Sequence, residues 1–336
     1  MKIAVIGAGA IGNLTAGYLK FKNADIYLVG RKDSIAAIKN NGLDIVGTRG
    51  NIHVKIDCYE HLKEKPDLAI LAVITQDLEK AIKDNLAFLK EAVVVTTKNG
   101  LQEEYIAAKY IPAENIVSSI VMFGATYLKP SQVVHNFEGP WIIGDFSGAS
   151  RKKLDVVSPV LKKAFAVVIG DNIKGMKYLK IFLNANNCIP AILGVSMQEA
   201  FADLELSRVS IAIWKEAFDI VTKAGIELMS LPDFTLERLK ELITMPSKQS
   251  AQIFSGIMRN LSIEPLYGSI LQSINRNRPS EINYINGEFV RLAKQNKLSC
   301  PLNEKLVKLV HKVETTKEFL TKEKLFAETK ALVDVK

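Results

Sequence analysis

Apolar residues come in short unbroken runs over the first half of the chain and at helical spacing over the second. "KIAVIG" is a β-rich run ending in glycine, and "IGNLTAGYLKFK" follows it with helical spacing. Then come "ADIYLVGR", "DLAILAVI" and "EAVVVTTKNG", separated by helical stretches such as "DLEKAIKDNLAFLK". Continuous apolar strands alternating with helices predict a parallel sheet covered on both faces. Further β-rich runs, "NIVSSIVMFGAT", "VVHNFEG" and "WIIGDF", carry this part to about residue 165. From Lys174 the alternation stops and helical patterns dominate, broken near Gly194, Gly225, Pro232 and Pro246. The expected fold is an α/β Rossmann-type domain over 1–168 followed by an all-α domain over 169–336, with "VVIGDNIKG" at the seam.

One helical stretch breaks the usual amphipathic rule. In "YLKIFLNANNCIPAIL", from Tyr178 to Leu193, Lys180, Asn184 and Asn187 recur at i, i+4 and i+7. On a helix they form a narrow polar stripe with apolar residues in nearly every other direction. Burying a lysine is costly unless something polar meets it. Either the ammonium snorkels from a helix edge, or the stripe faces a ligand.

Composition removes several function classes. The chain has 336 residues, 48% of them apolar and 24% charged, which fits an ordinary globular protein of two domains. No apolar run approaches the ~18 residues of a membrane span, and the opening run before Gly7 is too short for a secretory segment. Cys58, Cys188 and Cys300 are widely spaced and odd in number, which fits reduced thiols in a cytoplasmic protein. Four scattered histidines give no metal signal. The net charge of +8 is spread along the chain and not gathered into a nucleic-acid stripe. Such a positive field favours an anionic small molecule.

The sharpest local signal is Gly7-Ala8-Gly9-Ala10-Ile11-Gly12, a G-x-G-x-x-G directly after a strand and opening a helix. The first glycine permits the tight turn, the second the approach of a pyrophosphate, and the third close helix–strand packing. The helix N-terminus adds N–H donors and positive potential. In an NAD site an acid near the end of the second strand accepts from the ribose 2′-OH. Here Gly30, Arg31 and Lys32 stand there, and a guanidinium suits a 2′-phosphate. Asp33, two residues further, could be a ribose ligand or a helix N-cap, as could Ser34. Arg31 favours NADPH/NADP+ as the expected cofactor.

Together the glycine loop, Arg31, "KNGL" after a later strand and the lysine–asparagine helix resemble the ketopantoate reductase family. "SILQSINRNRPSEINYING", from Ser269 to Gly287, is the most specific part, and "CPLN" (Cys300 to Asn303) resembles the family's T-P-x-N. The resemblance implies a helical domain like the C-terminal domain of 6-phosphogluconate dehydrogenase. It also implies NADPH-dependent reduction of 2-dehydropantoate to pantoate, in pantothenate and coenzyme A biosynthesis. By resemblance Lys180 is the general acid, and Glu281 acts with it while touching the substrate or the nicotinamide side. Asn99, Asn184 and Ser269 bind substrate, and Asn99 touches the cofactor as well. The partner is then a small anionic 2-oxo acid, and a homodimer is compatible with the pattern. Two positions depart from the family: Ile74 replaces a lysine, and Cys188 replaces a second asparagine four residues after Asn184. A reductase or dehydrogenase for another 2-oxo or 3-hydroxy acid stays open, as does a regulator that binds nucleotide without turnover.

Overall fold

The computed structural model describes residues 1–98, 100–262 and 264–333. It divides into two compact units, Met1–Lys174 and Gly175–Lys336.

The first unit opens with β1 (Ile3–Ile6), α1 (Ala10–Phe21), β2 (Ile26–Val29) and α2 (Lys32–Asn41). Next come β3 (Leu43–Gly47), β4 (Ile52–Val54), β5 (Asp57–Tyr59) and β6 (Leu68–Leu71). Helices α3 (Thr75–Asp84) and α4 (Leu86–Leu89) lead to β7 (Val93–Thr96), and α5 (Gln102–Ala107) to β8 (Ile116–Val121). The unit ends with β9 (Gly124–Lys129), β10 (Gln132–Phe137), β11 (Trp141–Asp145), α6 (Arg151–Leu161) and β12 (Val167–Gly170).

Among the described residues, eight strands form one sheet in the order β12-β11-β8-β7-β6-β1-β2-β5. Neighbours are parallel except for β11 against β8. Successive side chains of a strand point to opposite faces. Ile3 and Val5 therefore join one buried cluster, and Ala4 and Ile6 another. That two-sided burial is why the strands read as unbroken apolar runs.

A second sheet, β4-β3-β10-β9, packs on α1. A Cβ on Gly17 would fall 2.5 Å from Ile45 Cδ1, so the glycine permits this close approach. The sequence pattern gave no sign of a separate sheet. "NIVSSIVMFGAT" divides between β8 in one sheet and β9 in the other. At the crossing the Phe137 ring lies over Gly124, where a Cβ would fall 2.3 Å from it. The stretch "DLEKAIKDNLAFLK" also divides, at Asn85, whose carboxamide oxygen accepts from the Leu62 amide. The contact seam lies beyond the expected 168/169 because β12 pairs in parallel with β11 through Gly170.

Helix α7 (Ile173–Ala185) carries the chain into the second unit, followed by α8 (Cys188–Leu193) and α9 (Met197–Phe201). Then come α10 (Leu204–Lys223), α11 (Leu236–Thr244), α12 (Ser247–Arg259) and α13 (Ser269–Asn275). The last are α14 (Asn286–Gln295), α15 (Pro301–Thr316) and α16 (Lys322–Val333). Trp214 Nε1 donates to the Phe182 carbonyl at 2.7 Å, which fixes α10 against α7. Phe182 packs edge-on against Phe289 of α14, with ring centroids 5.0 Å apart. The Glu216 carboxylate accepts from the amides of Leu302 and Asn303, each at 2.8 Å, and so caps α15. The "CPLN" motif is thus a helix start built for that cap, with Pro301 in the first turn, where its missing N–H costs nothing. Among the described residues no helix is long and apolar enough to cross a membrane.

Candidate active site

In the first unit, β1 delivers the chain to Gly7, whose φ is +122°. A Cβ there would fall 2.6 Å from the Ala72 carbonyl carbon, and one on Gly12 would fall 1.8 Å from the Gly7 oxygen. Both positions therefore demand glycine for packing alone. Gly9 differs, because a Cβ there meets nothing within 4 Å. The N-terminus of α1 carries no side-chain cap and no acid in its first turn. Open space above Gly9, beside a helix end of positive potential, suits the pyrophosphate of a dinucleotide. Ala8, Ala10 and Ile11 complete the loop and pack partly buried against the core.

Arg31 follows β2 and Gly30 and stands exposed just ahead of α2. Its guanidinium Nη2 donates to Asp77 Oδ2 of α3 at 2.6 Å. Sequence reasoning missed Asp77. Its only signal is an acid in the first turn of a helix that follows a sheet strand. Ile74, where the family has lysine, is the residue before α3, and the next residue, Thr75, is buried.

In the second unit, the expected single helix through Leu193 is interrupted. Helix α7 ends at Ala185 and α8 starts at Cys188. In an unbroken helix the Pro190 ring would press on the carbonyl of Asn186, four residues back, so the chain turns at 186–187. Past Tyr178, Lys180, Leu183, Asn184 and Asn187 are only half-buried while their neighbours are buried. The polar stripe thus lies along the open side of α7. Burial lowers the Lys180 ammonium to about 8, and the Asp233 carboxylate partly opposes that shift. Asp233, on the loop before α11, was also missed, as was Lys177, which is buried one turn before Lys180.

The turn re-aims Asn187. Its side chain lies against Gly268, immediately before Ser269. Ser269 opens α13, and its Oγ is buried with no hydrogen-bond partner among the described residues. Cys188 faces the interior instead. It is fully buried, Asn286 Nδ2 lies 3.8 Å from its sulfur, and burial pushes its thiol up to about 12. Glu281 is buried ahead of a short turn at Ile282–Tyr284, where burial, with the Glu281 charge beside it, raises the Tyr284 hydroxyl. Asn99 lies outside the described residues. Beside it, the Lys98 amide donates to Glu103 at 3.0 Å, and Thr75 Oγ1 reaches the same carboxylate at 3.4 Å.

Both halves of the chain match models of one family. Residues 3–148 match "Ketopantoate reductase PanE/ApbA" and residues 172–314 match its C-terminal counterpart. A 2-dehydropantoate 2-reductase of Pyrococcus abyssi is 29% identical over 310 residues, covering 90% of this chain and 94% of that one. One of Lactococcus lactis is 26% identical, covering 94% and 98%. Among solved structures, D-mandelate dehydrogenase with NADH and anilino(oxo)acetate superposes with a TM-score of 0.82 at 25% identity, covering 94% and 99%. A PanE/ApbA family ketopantoate reductase of Ralstonia eutropha shares the fold, with a TM-score of 0.78 at 21% identity, covering 94% and 99%.

Proposed function

The chain belongs to the ketopantoate reductase family, and from that premise we propose that it reduces 2-dehydropantoate to pantoate with a nicotinamide cofactor. The observation that carries the chemistry is the half-buried Lys180 ammonium, lowered to about 8 on the open side of α7. A bound dihydronicotinamide would supply the hydride that the carbonyl carbon accepts. Lys180 donates a proton to the carbonyl oxygen as negative charge develops there. An acid whose pKa lies near working pH does this well, and its charge stabilises the developing alkoxide. Asn184, one turn on, orients the substrate through its carboxamide. The Ser269 hydroxyl and the Asn187 amide take the substrate's remaining polar groups, since Ser269 Oγ is otherwise buried without a partner. Glu281 binds from its buried position, and Asn99 keeps the role expected from the family. The Gly7–Gly12 loop would hold the pyrophosphate, and Arg31 would take the 2′-phosphate of NADPH. Buried free thiols fit a cytoplasmic setting.

A second reading, oxidation of a D-2-hydroxy acid or its reverse with NADH, draws support from the likeness to D-mandelate dehydrogenase. NADPH and NADH oxidation measured against a panel of 2-oxo acids separates the two. Preference for 2-dehydropantoate supports the first reading, and preference for benzoylformate or another hydroxyl-free 2-oxo acid replaces it with the second.

A further inference from the structure

The sheet order places β1 between β2 and β6, so elements leaving β2 and β6 flank the glycine loop that leaves β1. Arg31 comes from the β2 side and Asp77 from the β6 side, and their ion pair of 2.6 Å spans the carboxyl end of β1. The end of β2 carries Gly30, Arg31 and Lys32, and of the acids nearby, Asp33 in the first turn of α2 and Asp77 of α3, it is Asp77 that pairs with Arg31. We infer that Asp77 supplies from α3 the carboxylate that NAD sites ordinarily place after their second strand, and so sets the cofactor selectivity of this chain. This rests on the reading of Arg31 as the side chain that takes the 2′-phosphate.

The chemistry is a contest for one guanidinium. A ribose 2′-phosphate is a strong anion, and next to Arg31 it meets Asp77 already paired there. Guanidinium has donors enough for both anions, but the two like charges repel across a few ångströms. A ribose 2′-OH brings no charge and can donate to the Asp77 carboxylate. Asp77 therefore penalises NADPH without penalising NADH. Both residues are largely exposed, with side chains 63% and 43% accessible, so solvent and salt screen the effect. For a pair of screened charges at this range the penalty amounts to about tenfold in affinity.

Fluorescence titration of the apo-protein with NADPH and with NADH tests this directly. For Asp77→Asn, the NADPH Kd should fall by about tenfold while the NADH Kd stays constant or rises, with a smaller change at high salt. The exposed position keeps the fold of this variant intact. An unchanged NADPH/NADH ratio in Asp77→Asn, with Arg31→Ala still losing NADPH selectively, overturns the role of Asp77 alone. Equal loss of both cofactors in Arg31→Ala overturns the underlying reading of Arg31.

Discussion

The side chain of Asn187 lies across Gly268, where a Cβ would fall 3.0 Å from the Asn187 Cγ. Gly268 has ordinary extended backbone angles, φ −63° and ψ 158°, so alanine is tolerated there by the chain itself. What alanine disturbs is the carboxamide beside it. Gly268→Ala should raise KM for the oxo acid several-fold, change kcat less, and leave the melting temperature nearly unchanged. Asn187→Ala should reproduce the KM effect, whereas Cys188→Ala should not, because the thiol faces the interior. Steady-state kinetics of the three variants decide it. A KM effect confined to Cys188→Ala would return the subsite to position 188.

The glycine loop offers a separation of fold from binding. Gly9→Ala places its Cβ in open space, so the apo-protein should keep its stability. That Cβ would fill the place proposed for the pyrophosphate, and dinucleotide affinity should drop at least tenfold. Gly12→Ala should instead destabilise the protein outright, since its Cβ would meet the Gly7 carbonyl oxygen. Thermal melts with and without NADPH distinguish the two. Equal melting temperatures and equal cofactor shifts for Gly9→Ala and wild type would remove the loop from the binding site.

Lys180 also predicts a trade of stability for activity. An ordinary lysine titrates at 10.5, and this one is lowered to about 8 by burial. Between those values the unfolded chain holds a proton that the folded one releases, so stability from this site rises with pH across the window. Below about 8 the penalty is fully present. Lys180→Met should therefore raise the melting temperature at pH 7, with a smaller gain at pH 10. A lower melting temperature at pH 7 would mean that the ammonium is satisfied where it sits.

Much of this was legible in residue order, for identifiable reasons. The strands β1, β2, β6 and β7 are buried on both faces, so their apolar runs carry no competing pattern. The glycine loop was legible because Gly7 and Gly12 meet backbone atoms that leave no room for another residue. The second sheet was not, since partners such as β3 and β10 lie far apart in the chain and pair only after folding. The break between α7 and α8 had a visible cause in Pro190, but where the turn would send Asn187 depends on Gly268, a residue of a distant loop. Asp77 and Asp233 were hidden for the same reason. Each acts on a partner from another element, and spacing within one element says nothing of it.

In the proposed reaction Lys180 gives up the proton that completes the reduction. The pH dependence of kcat for 2-dehydropantoate, in wild type and Lys180→Ala, decides whether it does. Wild-type kcat should fall as pH rises through about 8, where the ammonium is lost. Lys180→Ala should lower kcat by ~10²–10⁴-fold, lose that alkaline limb, and keep NADPH affinity, which the proposed site assigns to the Gly7–Gly12 loop and Arg31. A variant that retains wild-type kcat and its alkaline limb would strip Lys180 of the proton-donor role and leave it a lysine at a helix edge.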